Sequence, residues 1–173
     1  NDFMVLDLVR QDTVLPKETI RALANRRTGI GFDQLLIIET PTDPDCDFRY
    51  RIYNADGSES EHCANGARCI ARFVLDQGLS ISSPLKLQMP SSVITCQIHE
   101  NGQVAVDMGA PILQPASIPF IADAISPGYS LSLPNDQTIE ISAVSMGNPH
   151  AVLIVDDVNT APVDELGPVI ENH

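Results

Sequence analysis

The chain has 173 residues, of which 43% are hydrophobic and 19% charged, and its formal net charge at pH 7 is −13. That length can form one ample domain, or one domain and part of a second. Because the charge is so negative, nucleic acid and anionic membrane surfaces are unfavourable partners. No apolar run approaches the roughly 20 residues that span a membrane. The four cysteines are irregularly spaced, which favours free thiols in a reducing cytoplasm over a disulfide scaffold.

The first third of the chain predicts three strands and one helix. Pro16 suits the first turn of a helix, and Ile20, Leu23 and Ala24 follow on one side. Apolar runs or alternating patterns predict the strands. In chain order the predicted elements are a strand over residues 1–9, a helix over 16–25, strands over 35–39 and 48–53, and a turn at 54–57.

Cys63 opens the most informative stretch, a loop of small and amide residues that leads directly into a helix pattern. Apolar residues at three- and four-residue spacings over 67–74 predict the helix, and Gly78 is its predicted stop. We expect this helix to be mostly buried, as the core of its domain. A thiol at its N-terminus meets unpaired N–H groups and the positive end of the helix dipole, which favour the thiolate. The same N–H groups can hold a carboxylate.

The rest of the chain is rich in predicted strands. Residues 109–119 hold three prolines among small residues and predict a domain boundary. We expect domains over 1–110 and 111–173, the second of them incomplete. The predicted strands are residues 85–89, 93–99, 104–108, 129–133, 138–144 and 151–155, with a hairpin joining the second and third and a helix starting near Val163.

The cysteines differ in what their neighbours suggest. Cys63 could be a small buried apolar residue, but its polar neighbours favour a functional thiol. Glu59 and Glu61 would disfavour a thiolate, since a nearby carboxylate opposes negative charge. Cys69 on the helix and Cys96 on a strand are predicted to be core residues.

Histidines offer two possible partners for the thiol. His150 follows a Met-Gly-Asn-Pro loop between two predicted strands, where it could titrate near neutrality or simply be exposed. His62 is a poor partner for Cys63 because adjacent side chains point apart. His62, Cys63 and Cys69 lack the short paired spacing of a closed zinc site, so we expect no metal.

Amide side chains fall at strand ends or in turns, where Asn is a favoured turn residue. Together with an N–H cradle they could bind a polar substrate through directional hydrogen bonds. The residues concerned are Asn1, Gln34, Asn54, Asn65 and Asn148.

With these stretches in view, the chain resembles the diaminopimelate epimerases. That family inverts one α-carbon of LL-diaminopimelate to give the meso form, without pyridoxal phosphate or metal. The matching stretches run in family order and are Asn1-Asp2-Phe3, Gly31-Phe32-Asp33-Gln34, Asn54-Ala55-Asp56-Gly57-Ser58-Glu59, residues 63–69 and Met146-Gly147-Asn148-Pro149-His150.

The resemblance implies a role for each matching residue. Cys63 would be one of two catalytic cysteines on opposite faces of the substrate α-carbon, one accepting a proton as thiolate and the other donating one as thiol. Ala64 and Asn65 would hold the reacting carboxylate through their backbone, and His150 would tune the acidity of a catalytic cysteine. The implied side-chain contacts with substrate are those of Asn1, Gln34, Asn54 and Asn148.

The resemblance also implies the fold and the setting. We expect an α+β fold of two pseudo-symmetric domains, each a curled, mostly antiparallel sheet around a central helix. We expect a cytoplasmic homodimer that acts in the synthesis of lysine and of peptidoglycan precursors. Its substrate would be a small molecule, and we expect no cofactor and no nucleic-acid or membrane partner. Two departures matter: Ala64 replaces a common Gly, and no cysteine here matches the family's second one, so the chain alone should be inactive.

Three alternatives remain open from the residues. Proline racemase-like enzymes share the two-thiol plan but act on a ring imino acid, whereas this amide set suits a longer, doubly charged substrate. A cysteine hydrolase using Cys63 and His150 would form an acyl-enzyme intermediate. A non-catalytic amino-acid binding module is the third.

Overall fold

The computed structural model describes residues 1–60, 63–90, 92–134 and 137–173, which fall into two units, Asn1–Gly109 and Ala110–His173. That the whole protein has domains over 1–110 and 111–173 stays a prediction. The elements of the first unit are β1 (Phe3–Asp7), α1 (Lys17–Ala24), β2 (Gln34–Glu39), β3 (Phe48–Asn54), β4 (Glu59–Ser60), α2 (Ala64–Asp76), β5 (Leu85–Gln88), β6 (Val93–Ile98) and β7 (Val104–Asp107).

These strands form one mixed sheet in the order β1-β2-β3-β5-β6-β7. The β1–β2 and β3–β5 pairs are parallel and the others antiparallel. The short β4 pairs with the end of β3 that β5 leaves free. The expected mixed fold with a mostly antiparallel sheet is confirmed.

β2 is buried on both faces, which explains its continuous apolar run. Leu36 and Ile38 belong to the larger hydrophobic cluster, which includes the inner face of α2. Leu35 and Ile37 point the other way and pack with Ile20 of α1. The sheet therefore separates the two helices of this unit.

α2 packs against β2, β3, β6 and β7, and it buries one face only. Ala67, Ile70, Ala71 and Val74 form that face. The expectation of a mostly buried helix was wrong in this respect, and so was the prediction that Cys69 is a core residue. Cys69 is exposed, because a two-residue step from Ala67 turns it to the opposite side of the helix.

The end of α2 follows the sequence prediction. Gly78 has a φ of 63° and its N–H donates to the carbonyl oxygen of Leu75. A left-handed residue at this place is the usual way to end a helix, and glycine adopts it without a Cβ penalty.

The second unit contains a three-stranded antiparallel sheet in the order β10-β9-β8. Its elements are a 3₁₀ turn (Pro115–Ser117), β8 (Tyr129–Ser132), β9 (Thr138–Ser145), β10 (Pro149–Val152) and α3 (Val163–Glu171). β10 starts two residues before its predicted start, so His150 lies on a strand rather than in the predicted loop. Among the described residues, no helix is long and apolar enough to cross a membrane.

Candidate functional site

Three of the predicted substrate residues lie at one end of the sheet in the first unit. Gln34, the first residue of β2, faces Asn54, the last residue of β3, in the antiparallel register. Phe3 of β1 pairs with Gln34 in the parallel register, which puts the preceding Asn1 at the same end. Strand order therefore gathers amide side chains that are distant in sequence.

Hydrogen bonds join these amides to one another and to their neighbours. Nε2 of Gln34 donates to Oδ1 of Asn54 at 3.0 Å, and Nδ2 of Asn54 donates to Oγ of Ser58 at 3.1 Å. Nδ2 of Asn65 donates to Oδ1 of Asn1 at 3.3 Å, which links the first turn of α2 to the start of β1. Four predicted site residues thus form two hydrogen-bonded amide pairs.

Cys63 is the N-cap residue of α2 and is partly exposed. Its Sγ accepts a hydrogen bond from the N–H of Gly66 at 3.2 Å, and its carbonyl oxygen accepts one from the N–H of Ala67 at 3.0 Å. Helix geometry leaves the N–H groups of Ala64 and Asn65 without an acceptor inside the helix. The N-terminus of a helix favours negative charge, so this arrangement can stabilise a thiolate and bind a carboxylate.

From the resemblance, we expect Ala64 to replace a common glycine. It is the first residue of α2, and its backbone is helical, a conformation that alanine adopts more readily than any other residue. The replacement is therefore compatible with N–H groups presented by a helix terminus.

Glu59, four residues before Cys63, forms an ion pair with Arg51. Nε of Arg51 donates to Oε1 of Glu59 at 2.8 Å, and this hydrogen bond holds the pKa of Glu59 below its ordinary value. Paired in this way, the Glu59 carboxylate opposes a nearby thiolate less than a free one would. Glu61 and His62 lie outside the described residues.

Arg26 bridges Asp2 and Asp33, the neighbours of Asn1 and Gln34 in the chain. Arg26 contacts the carboxylate of Asp2 at 2.7 Å and that of Asp33 at 2.8 Å. The N–H of Asp2 donates to Asp33, and this bond, followed by the Arg26 contact, lowers the pKa of the Asp33 carboxyl.

Asn148 and His150 belong to the second unit. Asn148 lies in the turn between β9 and β10, where its carbonyl oxygen accepts the N–H of Met146 at 3.2 Å. Nδ1 of His150 lies 2.9 Å from the same carbonyl oxygen. A carbonyl oxygen can only accept, so Nδ1 carries a proton and Nε2 of the exposed ring is left for other contacts.

Sequence reasoning did not single out Ser58, which holds the amide of Asn54. The signal was present, because Ser58 belongs to the stretch that resembles the family and follows Gly57, whose φ of 77° shapes the turn. All four cysteines are free thiols, and Cys46 and Cys96 are buried. Within the described ranges, no group of three or more His, Cys, Asp or Glu side chains is arranged to hold a metal ion.

Solved structures share this fold at low sequence identity. A probable proline racemase from Agrobacterium radiobacter superposes with a TM-score of 0.61 at 15% identity, over 84% of this chain and 42% of that one. A hydroxyproline epimerase from Agrobacterium vitis gives a TM-score of 0.57 at 13% identity, over 86% of this chain and 40% of that one. The chain therefore has the fold of this class of racemases and epimerases.

Sequence comparison identifies the family within that class. The profile described as diaminopimelate epimerase matches residues 1–114. The diaminopimelate epimerase of Pseudomonas entomophila is 56% identical over 173 residues, and that of Stutzerimonas stutzeri is 53% identical over 173 residues. The chain belongs to the diaminopimelate epimerase family. Each match covers 100% of this chain and 62% of the relative, so the chain spans less than two thirds of their length.

Proposed function

We propose that the whole protein is a diaminopimelate epimerase that interconverts the LL and meso forms of its substrate without pyridoxal phosphate. The observation that carries this proposal is the position of Cys63 in a chain of this family. Its thiol is partly exposed at the N-terminus of α2, with Sγ 3.2 Å from the N–H of Gly66. A proton acceptor is thereby combined with a site for a carboxylate, as inversion next to an acid group requires.

The proposed step is a proton exchange at the substrate α-carbon. In one direction the Cys63 thiolate takes the α-proton and becomes a thiol, and the electron pair of the broken C–H bond delocalises into the adjacent carboxylate. The thiol of a second cysteine then protonates the opposite face and becomes a thiolate. The reverse direction exchanges the two roles, so no atom is lost and no redox partner is needed.

The N–H groups at the start of α2 have a second task in this proposal. They would bind the substrate carboxylate, whose negative charge grows as the α-proton leaves, and donors fixed in place stabilise that charge without reorganising. The amides of Asn1, Gln34 and Asn54 would orient the rest of the substrate, together with Asn148. His150 would tune the acidity of a catalytic cysteine.

We further propose, from the resemblance to the family, that the whole protein works in the cytoplasm as a homodimer and takes a small-molecule substrate. It would supply precursors of lysine and peptidoglycan. The net charge of −13 supports the proposal that neither nucleic acid nor an anionic membrane is a partner.

Deuterium incorporation tests the function. The whole protein is incubated with LL-diaminopimelate in deuterated water, and the α-proton signal is followed by NMR. We expect solvent deuterium at the inverted centre together with formation of the meso isomer. Unchanged substrate, with Cys63 intact and reduced, would overturn the proposal. Release of product from a thioester or amide with a burst would instead identify a cysteine hydrolase.

A further inference from the structure

Tyr50 lies directly beneath the N-terminal turn of α2. It is on β3, its side chain is fully buried, and it belongs to the cluster that packs against the inner face of α2. Its hydroxyl donates to the carbonyl oxygen of Cys63 at 3.4 Å. The same carbonyl oxygen accepts the first hydrogen bond of the helix, from Ala67. The phenol therefore contacts the backbone of the residue that carries the thiol.

Gly66 provides the room for this contact. A Cβ atom at Gly66 would lie 2.1 Å from the Tyr50 hydroxyl oxygen, a distance that non-bonded atoms do not reach. Gly66 is also the residue whose N–H donates to Sγ of Cys63. Tyr50 thus touches both groups that fix the cysteine: its own carbonyl and the glycine that binds its sulfur.

Towards the carbonyl oxygen of Cys63, the Tyr50 hydroxyl acts as a neutral donor. Burial is the main cause that raises the pKa of Tyr50, and the neighbouring thiols add to it. The phenol therefore stays protonated over the pH range in which a thiol titrates. Since β3 also ends at Asn54, one strand carries both the support of the thiol and an amide of the proposed site.

We propose that Tyr50 is a positioning residue for Cys63, holding the carbonyl of Cys63 and the first turn of α2 so that Sγ stays on the N–H of Gly66. Tyr50 does not touch the reacting atoms. Its effect on turnover rests on the proposed function, whereas its effect on the reactivity of Cys63 does not.

Tyr50→Phe in the whole protein tests the role, with Tyr53→Phe as the matched control. Tyr53 is on the same strand, but it packs with the opposite cluster and its hydroxyl contacts Arg51. Alkylation by iodoacetamide at pH 7 is followed by peptide mass spectrometry, with the exposed Cys69 as internal standard. We expect Tyr50→Phe to slow alkylation of Cys63 about three- to tenfold, the range for one lost hydrogen bond, and Tyr53→Phe to leave it unchanged.

Turnover separates positioning from general loss of structure. Tyr50→Phe is expected to lower kcat about three- to tenfold, while KM changes by a smaller factor, because the side-chain amides that would orient the rest of the substrate are untouched. Equal alkylation rates and equal kcat in both variants would overturn the proposal. If the unaltered protein fails to act on diaminopimelate, the proposed function falls, and the alkylation rates still decide the role of Tyr50.

Gly66→Ala provides an independent second variant. Its methyl group is expected to displace the phenol, lower the Tm and slow alkylation of Cys63. Adding Tyr50→Phe removes the nearest of the atoms that the methyl group meets, while Leu36 Cδ2 at 3.0 Å and Cys63 Sγ at 3.4 Å remain. The double variant should therefore recover part of the Tm but not the alkylation rate. Strictly additive effects on the Tm would show that the contact is absent in solution and would contradict the proposal.

Discussion

At the scale of single residues, Cys63 has two tasks that can be separated. As the N-cap residue of α2 it accepts the N–H of Gly66, and as a thiol it is the proposed proton carrier. A serine at this position could perform the first task, because serine is among the preferred N-cap residues. It could not perform the second, because an alcohol is far less acidic than a thiol.

Cys63→Ser in the whole protein is therefore expected to keep the fold and lose the activity. General acid–base groups contribute about 10²- to 10⁴-fold to rate, and we expect kcat to fall by about this amount. Epimerisation is measured from the α-proton exchange, and folding from circular dichroism and the Tm. Cys69→Ser, on the exposed side of the same helix, is the control and should retain activity. Retained activity in Cys63→Ser would show that the thiol was assigned wrongly.

At the scale of secondary-structure elements, the end of β1 depends on a buried carboxylate. Asp7 is 5% exposed and accepts the backbone N–H groups of Val9 and Arg10 as well as Nε of Arg10. Burial alone would raise the pKa of Asp7, but these hydrogen bonds and the charge of Arg10 outweigh it and the pKa lies below the ordinary value of 3.8. The stabilisation is thus fully present above that ordinary value and is lost as the pH falls through the lower pKa of the folded state.

Asp7→Asn removes this stabilisation and its pH dependence. We expect the variant to lose about 1–3 kcal/mol of unfolding free energy at pH 7, as for hydrogen bonds to a charged group. The difference from the unaltered chain should shrink as the pH drops below 3.8, the ordinary pKa. Urea unfolding at pH 7 and at pH 3 measures both effects. Asp12→Asn, at an exposed position, is the control. The argument would be contradicted if Asp7→Asn lost the same unfolding free energy at both pH values.

The elements show where sequence reasoning succeeded and where it could not. The apolar run of β2 and the spacing in α2 predicted both elements because burial leaves a periodic pattern in the sequence. β4 has two residues, too few to show any alternation. Pro149 led to the prediction of a loop around it. However, β10 is an edge strand, where a missing N–H is tolerated. The contact between Tyr50 and Cys63 could not be predicted from the sequence, because the pattern around a tyrosine on a buried strand indicates only a core residue.

At the scale of the whole molecule, inversion needs proton transfer on two faces of one carbon. Cys63 can serve one face. Cys46 and Cys96 are buried, and burial raises the pKa of both thiols, to about 11 for Cys96. Cys69 lies on the exposed side of α2, and its pKa is also raised, chiefly by desolvation. The chain therefore offers one suitable thiol for the proposed two-thiol reaction.

Residues 1–173 alone are accordingly expected not to convert LL-diaminopimelate to the meso form, whereas the whole protein should do so. Chiral chromatography of the two isomers after incubation, at equal concentrations of the two proteins, measures this directly. The folded state of the shorter chain is checked by circular dichroism, and its Cys63 is shown to be reduced by alkylation. Meso product formed by residues 1–173 would contradict the two-thiol argument, and a repeat with Cys69→Ser would then show whether Cys69 supplies the second proton. With one suitable thiol, a proton removed from the α-carbon can return only to the face it left, so configuration is retained.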